Sequence, residues 1–227
     1  MLNRWTNSYL IFILILIGIL ISFLSDHLVQ FLFANLIYAL AMFLIVLRDY
    51  QKGYRSLSRN RSIALCILIL VSIAGNGFYH FKIASGFDKF FLVLSGLAKV
   101  LVFGYGWLST AKILMQKQKI TDQTIILAIT AYLFIGVIWA FIYYIVWEIN
   151  PNAFKVTVQA DYQLKSWNLV TYFSLTTLTT LGYGDIIPVD KLLMLAANFE
   201  AIAGSIYLTV IVARLVSLYS ITDSTIK

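Results

Sequence analysis

Residues Thr176 to Pro188 read TTLTTLGYGDIIP, and the rest of the chain is best understood around them. The centre of the stretch is Thr179-Thr180-Leu181-Gly182-Tyr183-Gly184-Asp185. A dehydrated cation in a narrow pore needs oxygen ligands in place of its water, and backbone carbonyls supply them when a strand turns them all to one side. Side chains with a Cβ resist the angles this requires, so alternate positions favour glycine. Gly182 and Gly184 stand at alternate positions. Thr180 adds a hydroxyl at the inner end of the row, and Tyr183, between the glycines, is expected to point away and wedge the strand against its surroundings. The bland alternative is a Gly-rich turn between two membrane helices.

The composition sets the solvent. The chain is 61% hydrophobic and 12% charged, with mean hydropathy +0.87, far from the balance of soluble domains. The net charge of +7 comes largely from short loops between apolar runs, where topology explains it better than nucleic acid does. The one cysteine, Cys66, excludes an intrachain disulfide. His27 and His80 lie in separate loops, with no His/Cys metal cluster and no nucleotide loop. The expectation is therefore no enzyme and no organic cofactor.

A bilayer core takes about 20 apolar residues per helix. Apolar runs at 9–24, 28–47, 63–79, 90–114, 124–147 and 192–219 give six spans. No small-residue cleavage pattern follows the first, so it reads as a span rather than a signal peptide. Between the second and third lies RDYQKGYRSLSRNR, with Arg48, Lys52, Arg55, Arg59 and Arg61 against the single acid Asp49. This reads as a positive-inside loop, and anionic lipid headgroups are a further reading of the same charges. With the N-terminus inside, most Lys and Arg fall on the inner side, against Lys82, Lys89, Lys155, Lys165 and Lys191 outside. The expected location is the cell membrane, multi-pass, with both termini cytoplasmic.

Thr121 and Asp122 offer caps for the fifth span. Trp147 with Tyr143 and Tyr144 suggests an aromatic belt at its outer end, and 148–165 reads as an extracellular turret. Residues 167–179 are too short to span and lead into the Gly-rich row, as a re-entrant helix does. The fourth span carries a second GYG, Gly104-Tyr105-Gly106, without the flanking threonines and aspartate; it reads as small-residue helix packing. It also carries Lys99 alone near mid-membrane, too little for strong voltage sensing. Lys99 is expected to snorkel or to pair with Glu200, the one acid placed inside the membrane.

The string at 179–185 resembles the selectivity filter of potassium channels. Residues 124–219 resemble the outer helix, pore helix, filter and inner helix of that family, whereas the four earlier spans resemble it only in number. Leu181 departs from the family's usual Val or Ile. The resemblance implies an all-α membrane protein of six transmembrane helices plus a re-entrant pore helix and filter loop, of the bacterial type without a cytosolic ligand-binding domain. Its parts are a four-helix region (1–120), a pore domain (121–220) and a short cytoplasmic tail (221–227). One chain supplies one loop and a ring needs four, so a homotetramer is expected.

By the same resemblance Thr180, Leu181, Gly182 and Tyr183 coordinate permeant K+, while Thr179, Gly184, Asp185, Tyr172 and Thr176 support the filter. A bond from the Tyr172 hydroxyl to Asp185 is expected, and Thr176 stands where the family often has a carboxylate. Gly204, 19 positions past Asp185, matches the family's inner-helix glycine and reads equally as hinge or packing residue. Ser205, Leu208 and Val212 are cavity candidates by helical spacing. Glu200 is expected to face the pore helix, bonded to a threonine hydroxyl or to Lys99, and to brace the filter from behind. A poorly selective cation channel and a non-conducting regulatory subunit are the competing readings.

Overall fold

The computed structural model describes residues 6–24, 35–51, 59–80, 86–116, 120–157 and 166–224. They form seven α-helices: α1 (Thr6–Leu24), α2 (Asn35–Gln51), α3 (Arg59–His80), α4 (Asp88–Met115), α5 (Asp122–Ile149), α6 (Ser166–Leu178) and α7 (Lys191–Ser224). Two short strands, β1 (Phe154–Val156) and β2 (Ile186–Pro188), flank α6. The helices are uninterrupted because the chain's two prolines, Pro151 and Pro188, lie outside them, where neither breaks a helical hydrogen bond. At the start of α5 the Thr121 amide donates to Thr124 Oγ1 at 3.2 Å. Helix α7 runs on to Ser224, past the expected end of the sixth span.

Among the described residues, three helical segments are long and apolar enough to cross a bilayer: α4, α5 and Lys191–Leu218 of α7. Helices α1, α2 and α3 contribute shorter apolar segments, Ser8–Ile21, Leu36–Ile45 and Ile63–Tyr79. Lys52 and Arg55 of the basic loop lie outside the described residues, as do the side chains of Arg48, Arg59 and Arg61.

Helix α4 packs against α3 and α5, and α1 lies against α2 and α5. Their shared core holds Ile11, Ile15, Tyr38, Ile45, Phe103, Phe134 and Phe141. Phe103 is at its centre, edge-on to Tyr38 and Phe141, each at 5.3 Å between ring centroids. Such edge-to-face pairs stabilise beyond their buried area. The second GYG divides its work. A Cβ at Gly106 would press on Met42, Phe134 and Ile45, whereas one at Gly104 would meet open space.

Lys99 is 8% exposed, with its ammonium 5.5 Å from the centroid of the Phe141 ring. It neither snorkels nor pairs with Glu200; it lines a recess between α2, α3, α4 and α5 with Tyr38, Ser72 and Phe103. The cation meets a ring face, an attraction of about 2 kcal/mol when desolvated.

A second core lies under α6, built from Tyr143, Phe154, Val170, Phe173, Ile186 and Leu193. Tyr143 is fully buried there, so it is a core residue rather than part of an outer belt. Trp147 stacks on Phe154 at 5.0 Å, and Tyr144 meets Trp167 edge-on at 5.6 Å. The first contact seats β1 and the second seats α6 against α5, and the segment after α6 is left exposed on the single chain.

Candidate functional site

The segment after α6 takes its shape from alternation. Thr180, Gly182 and Gly184 have φ of 59°, 50° and 78°, so every second residue is left-handed. Glycine adopts this region at no steric cost. Thr180 is β-branched, and holding it there costs on the order of 1–3 kcal/mol, a strain that surrounding contacts must offset. The sequence pointed to the two glycines and missed Thr180 as the third member of the alternation.

The end of α6 supplies those contacts. The Leu181 and Gly182 amides both donate to the Thr176 carbonyl, at 2.8 and 3.2 Å, and the Thr180 amide donates to the Thr177 carbonyl at 2.9 Å. Thr176 therefore acts on the loop through its backbone oxygen; its hydroxyl donates to the Phe173 carbonyl at 3.0 Å. The Thr179 hydroxyl donates to the Leu175 carbonyl at 2.7 Å. With the amides turned back to the helix, the loop's inner end is anchored by backbone bonds.

The outer end is held at Asp185. The Tyr172 hydroxyl donates to Asp185 Oδ2 at 2.5 Å, and the Ile186 amide donates to Oδ1 at 3.0 Å. Tyr183 lies parallel to Tyr172, with ring centroids 6.3 Å apart and planes 5° from coplanar. Leu181 and Tyr183 are 54% and 66% exposed on the single chain, and Thr180, Gly182 and Gly184 are exposed with them.

Behind α6 stands Glu200, fully buried on α7. Its Oε2 accepts from the Tyr143 hydroxyl at 2.8 Å, and its Oε1 from the Ser174 hydroxyl at 2.5 Å. Ser174 also reaches the Gly136 carbonyl at 2.8 Å. The partners are thus a serine of α6 and a tyrosine of α5, not the expected threonine or Lys99. Lys99 is occupied at Phe141, and Thr176 is turned into its own helix. The carboxylate ties three helices together, and its two hydroxyl donors meet the need of a buried polar group for partners.

One helical turn further along α7, a Cβ at Gly204 would collide with the Leu178 carbonyl oxygen. That carbonyl also accepts from the Tyr132 hydroxyl at 3.0 Å. The described geometry makes Gly204 a close-packing residue against the last residue of α6. Ser205, Leu208 and Val212 are exposed on the single chain, and the Ser205 hydroxyl is bonded back to the Ala201 carbonyl at 3.0 Å.

No curated protein and no solved structure matches the chain. Residues 127–220, which run from α5 through α6 and the left-handed loop into α7, match the family model described as an ion channel, and this supports a membrane protein whose second part is a channel domain.

Proposed function

We propose that the chain is one subunit of a homotetrameric potassium channel, conducting K+ passively and without strong voltage gating. The observation that carries this reading is the alternation of left-handed residues at Thr180, Gly182 and Gly184, combined with amides tied back to α6. Such a backbone presents the carbonyls of Thr180, Leu181, Gly182 and Tyr183, with the Thr180 hydroxyl, as successive rings that replace a cation's water when four copies meet on an axis. The intact Gly-Tyr-Gly-Asp at 182–185 favours K+ over a poorly selective pore.

In this reading the six apolar helical segments all lie in the cell membrane with both termini cytoplasmic, and Asp185 faces outside. Ser205, Leu208 and Val212 line the inner cavity, and Arg48, Lys52, Arg55, Arg59 and Arg61 meet anionic lipid. Thr179, Tyr172, Thr176, Gly184, Asp185 and Glu200 hold the filter in shape. The supporting fact for assembly is that α7 is apolar yet has only 6% of its membrane-length window buried within the chain.

The test is the reversal potential of purified protein in liposomes across a K+/Na+ gradient. A value at the K+ equilibrium potential is expected. Current reversing near zero would replace the selective reading with the poorly selective one, in which Leu181 leaves the filter loosely held.

A further inference from the structure

The segment between α5 and α6 reaches back to the filter. After α5 the chain makes a short 3-10 turn at Pro151–Ala153 and enters β1. Strand β1 pairs antiparallel with β2, matching Phe154 with Pro188, Lys155 with Ile187 and Val156 with Ile186. Thr157 then falls beside the end of the filter. Its amide donates to the Asp185 carbonyl at 2.8 Å. Its hydroxyl lies 3.0 Å from the same oxygen and 3.4 Å from the Gly184 carbonyl.

We propose that Thr157 is a positioning residue for the outer end of the filter, its hydroxyl holding the Gly184 and Asp185 carbonyls in the orientation that the conducting loop requires. The inference rests on the channel reading above. It adds a second anchor to Asp185, opposite in origin to Tyr172: one comes from the re-entrant helix, the other from the turret. The anchor is itself rigidly based. Phe154, at the start of β1, is 6% exposed and packs on Trp147, Tyr143 and Phe173. Tyr143 is the residue that bonds Glu200, so turret, outer helix and inner helix converge on one support. Gly184 has no Cβ to restrict its backbone, and it sits in the left-handed region at φ of 78°. A hydroxyl beside its carbonyl oxygen therefore has leverage that it would lack beside a regular strand.

The test compares Thr157→Val with Thr157→Ser in liposomes. Valine keeps the β-branched shape of this exposed residue just past β1 and removes the hydroxyl; serine keeps the hydroxyl. Flux is measured over a range of external K+. A carbonyl ring left loose needs more bound cation to hold its shape. The valine variant is therefore expected to need roughly fivefold more external K+ for half-maximal flux, the equivalent of one net hydrogen bond. Serine is expected to restore the parent value. Equal dependence in valine variant and parent overturns the proposal, and so does a loss shared equally by serine and valine.

Amide exchange over 153–157 and 184–189 reads the anchor without any current. Faster exchange in the valine variant, with 166–178 unchanged, supports it, and unchanged exchange overturns it. A parent that exchanges as expected but conducts no K+ would instead fail the channel reading.

Discussion

Helices α5 and α7 offer the same 28 residues of apolar length to a membrane, yet 56% of the window in α5 is buried by the chain and only 6% in α7. Helix α5 is enclosed by α1, α4 and α6. Helix α7 touches its own chain at a few points, chiefly Leu193, Glu200, Gly204 and Tyr207, and turns Phe199, Ile202, Ile206, Leu208 and Val212 outward. The lesson is that one helix is specified by packing within the chain and the other by a few chosen contacts. Beyond Leu193, which joins the apolar core under α6, those contacts are polar or unusually close, as suits a helix that gains little from hydrophobicity alone in an apolar medium.

The comparison is broken most directly by paired alanine substitutions. Phe134→Ala in α5 removes a fully buried ring and should cost about 3–5 kcal/mol, read from unfolding in mixed micelles. Should it cost no more than a substitution on the bare face of α7, the contrast fails. Glu200→Ala comes next. It strands the Tyr143 hydroxyl and leaves Ser174 only the Gly136 carbonyl, so a cost of about 1–3 kcal/mol is expected, with any K+ flux of the proposed channel falling alongside stability. Normal flux and stability would show that the three-helix tie is dispensable.

Gly204→Ala sharpens the point by its sign. In an ordinary helix the change stabilises by roughly 0.5–1 kcal/mol. Here the new methyl meets the Leu178 carbonyl, so a loss of about 1–3 kcal/mol is expected; a gain would mean that α7 can slide away freely. Phe199→Ala, at 55% exposure, should change unfolding of the chain by less than about 0.5 kcal/mol while lowering the fraction of the proposed tetramer seen by cross-linking. An unchanged tetramer would assign that face to lipid. A small effect of the opposite sign is expected for Lys99→Met, which exchanges a buried cation for a flexible apolar chain. A change of about 1 kcal/mol or less, in the stabilising direction, is expected. Marked destabilisation would show that the contact with Phe141 outweighs the cost of burying the charge.

Much of this was legible in the residues. The apolar runs at 90–114 and 124–147 became α4 and α5 with ends displaced by only a few positions, because a membrane helix is written in consecutive apolar residues. The short 167–179 segment became α6, ending at Leu178. Tyr172 and Asp185 are 13 residues apart, near enough for a motif to hold both. Glu200 was singled out as a costly buried acid, but its partners lie 57 and 26 positions away, and nothing local distinguishes Ser174 from the neighbouring threonines. Tyr143 read as a belt residue because aromatics near a helix end carry the same signal whether they face lipid or core. Thr157 gave no signal of its own; only the alternation of Phe154-Lys155-Val156-Thr157 hinted at a strand.

By itself the sequence determined that this is an apolar helical chain with a Gly-Tyr-Gly-Asp loop after a short helix. Those features depend on local chemistry: span length on hydropathy, the loop on the angles glycine allows. Only the tertiary structure decided that Thr180 joins the left-handed alternation, that Glu200 rests on Ser174 and Tyr143, that Gly204 packs on Leu178, and that Thr157 reaches the Asp185 carbonyl. Each of these sets a side chain or a carbonyl against another segment, and such distances are fixed by how the helices pack, not by the order of residues within any one of them.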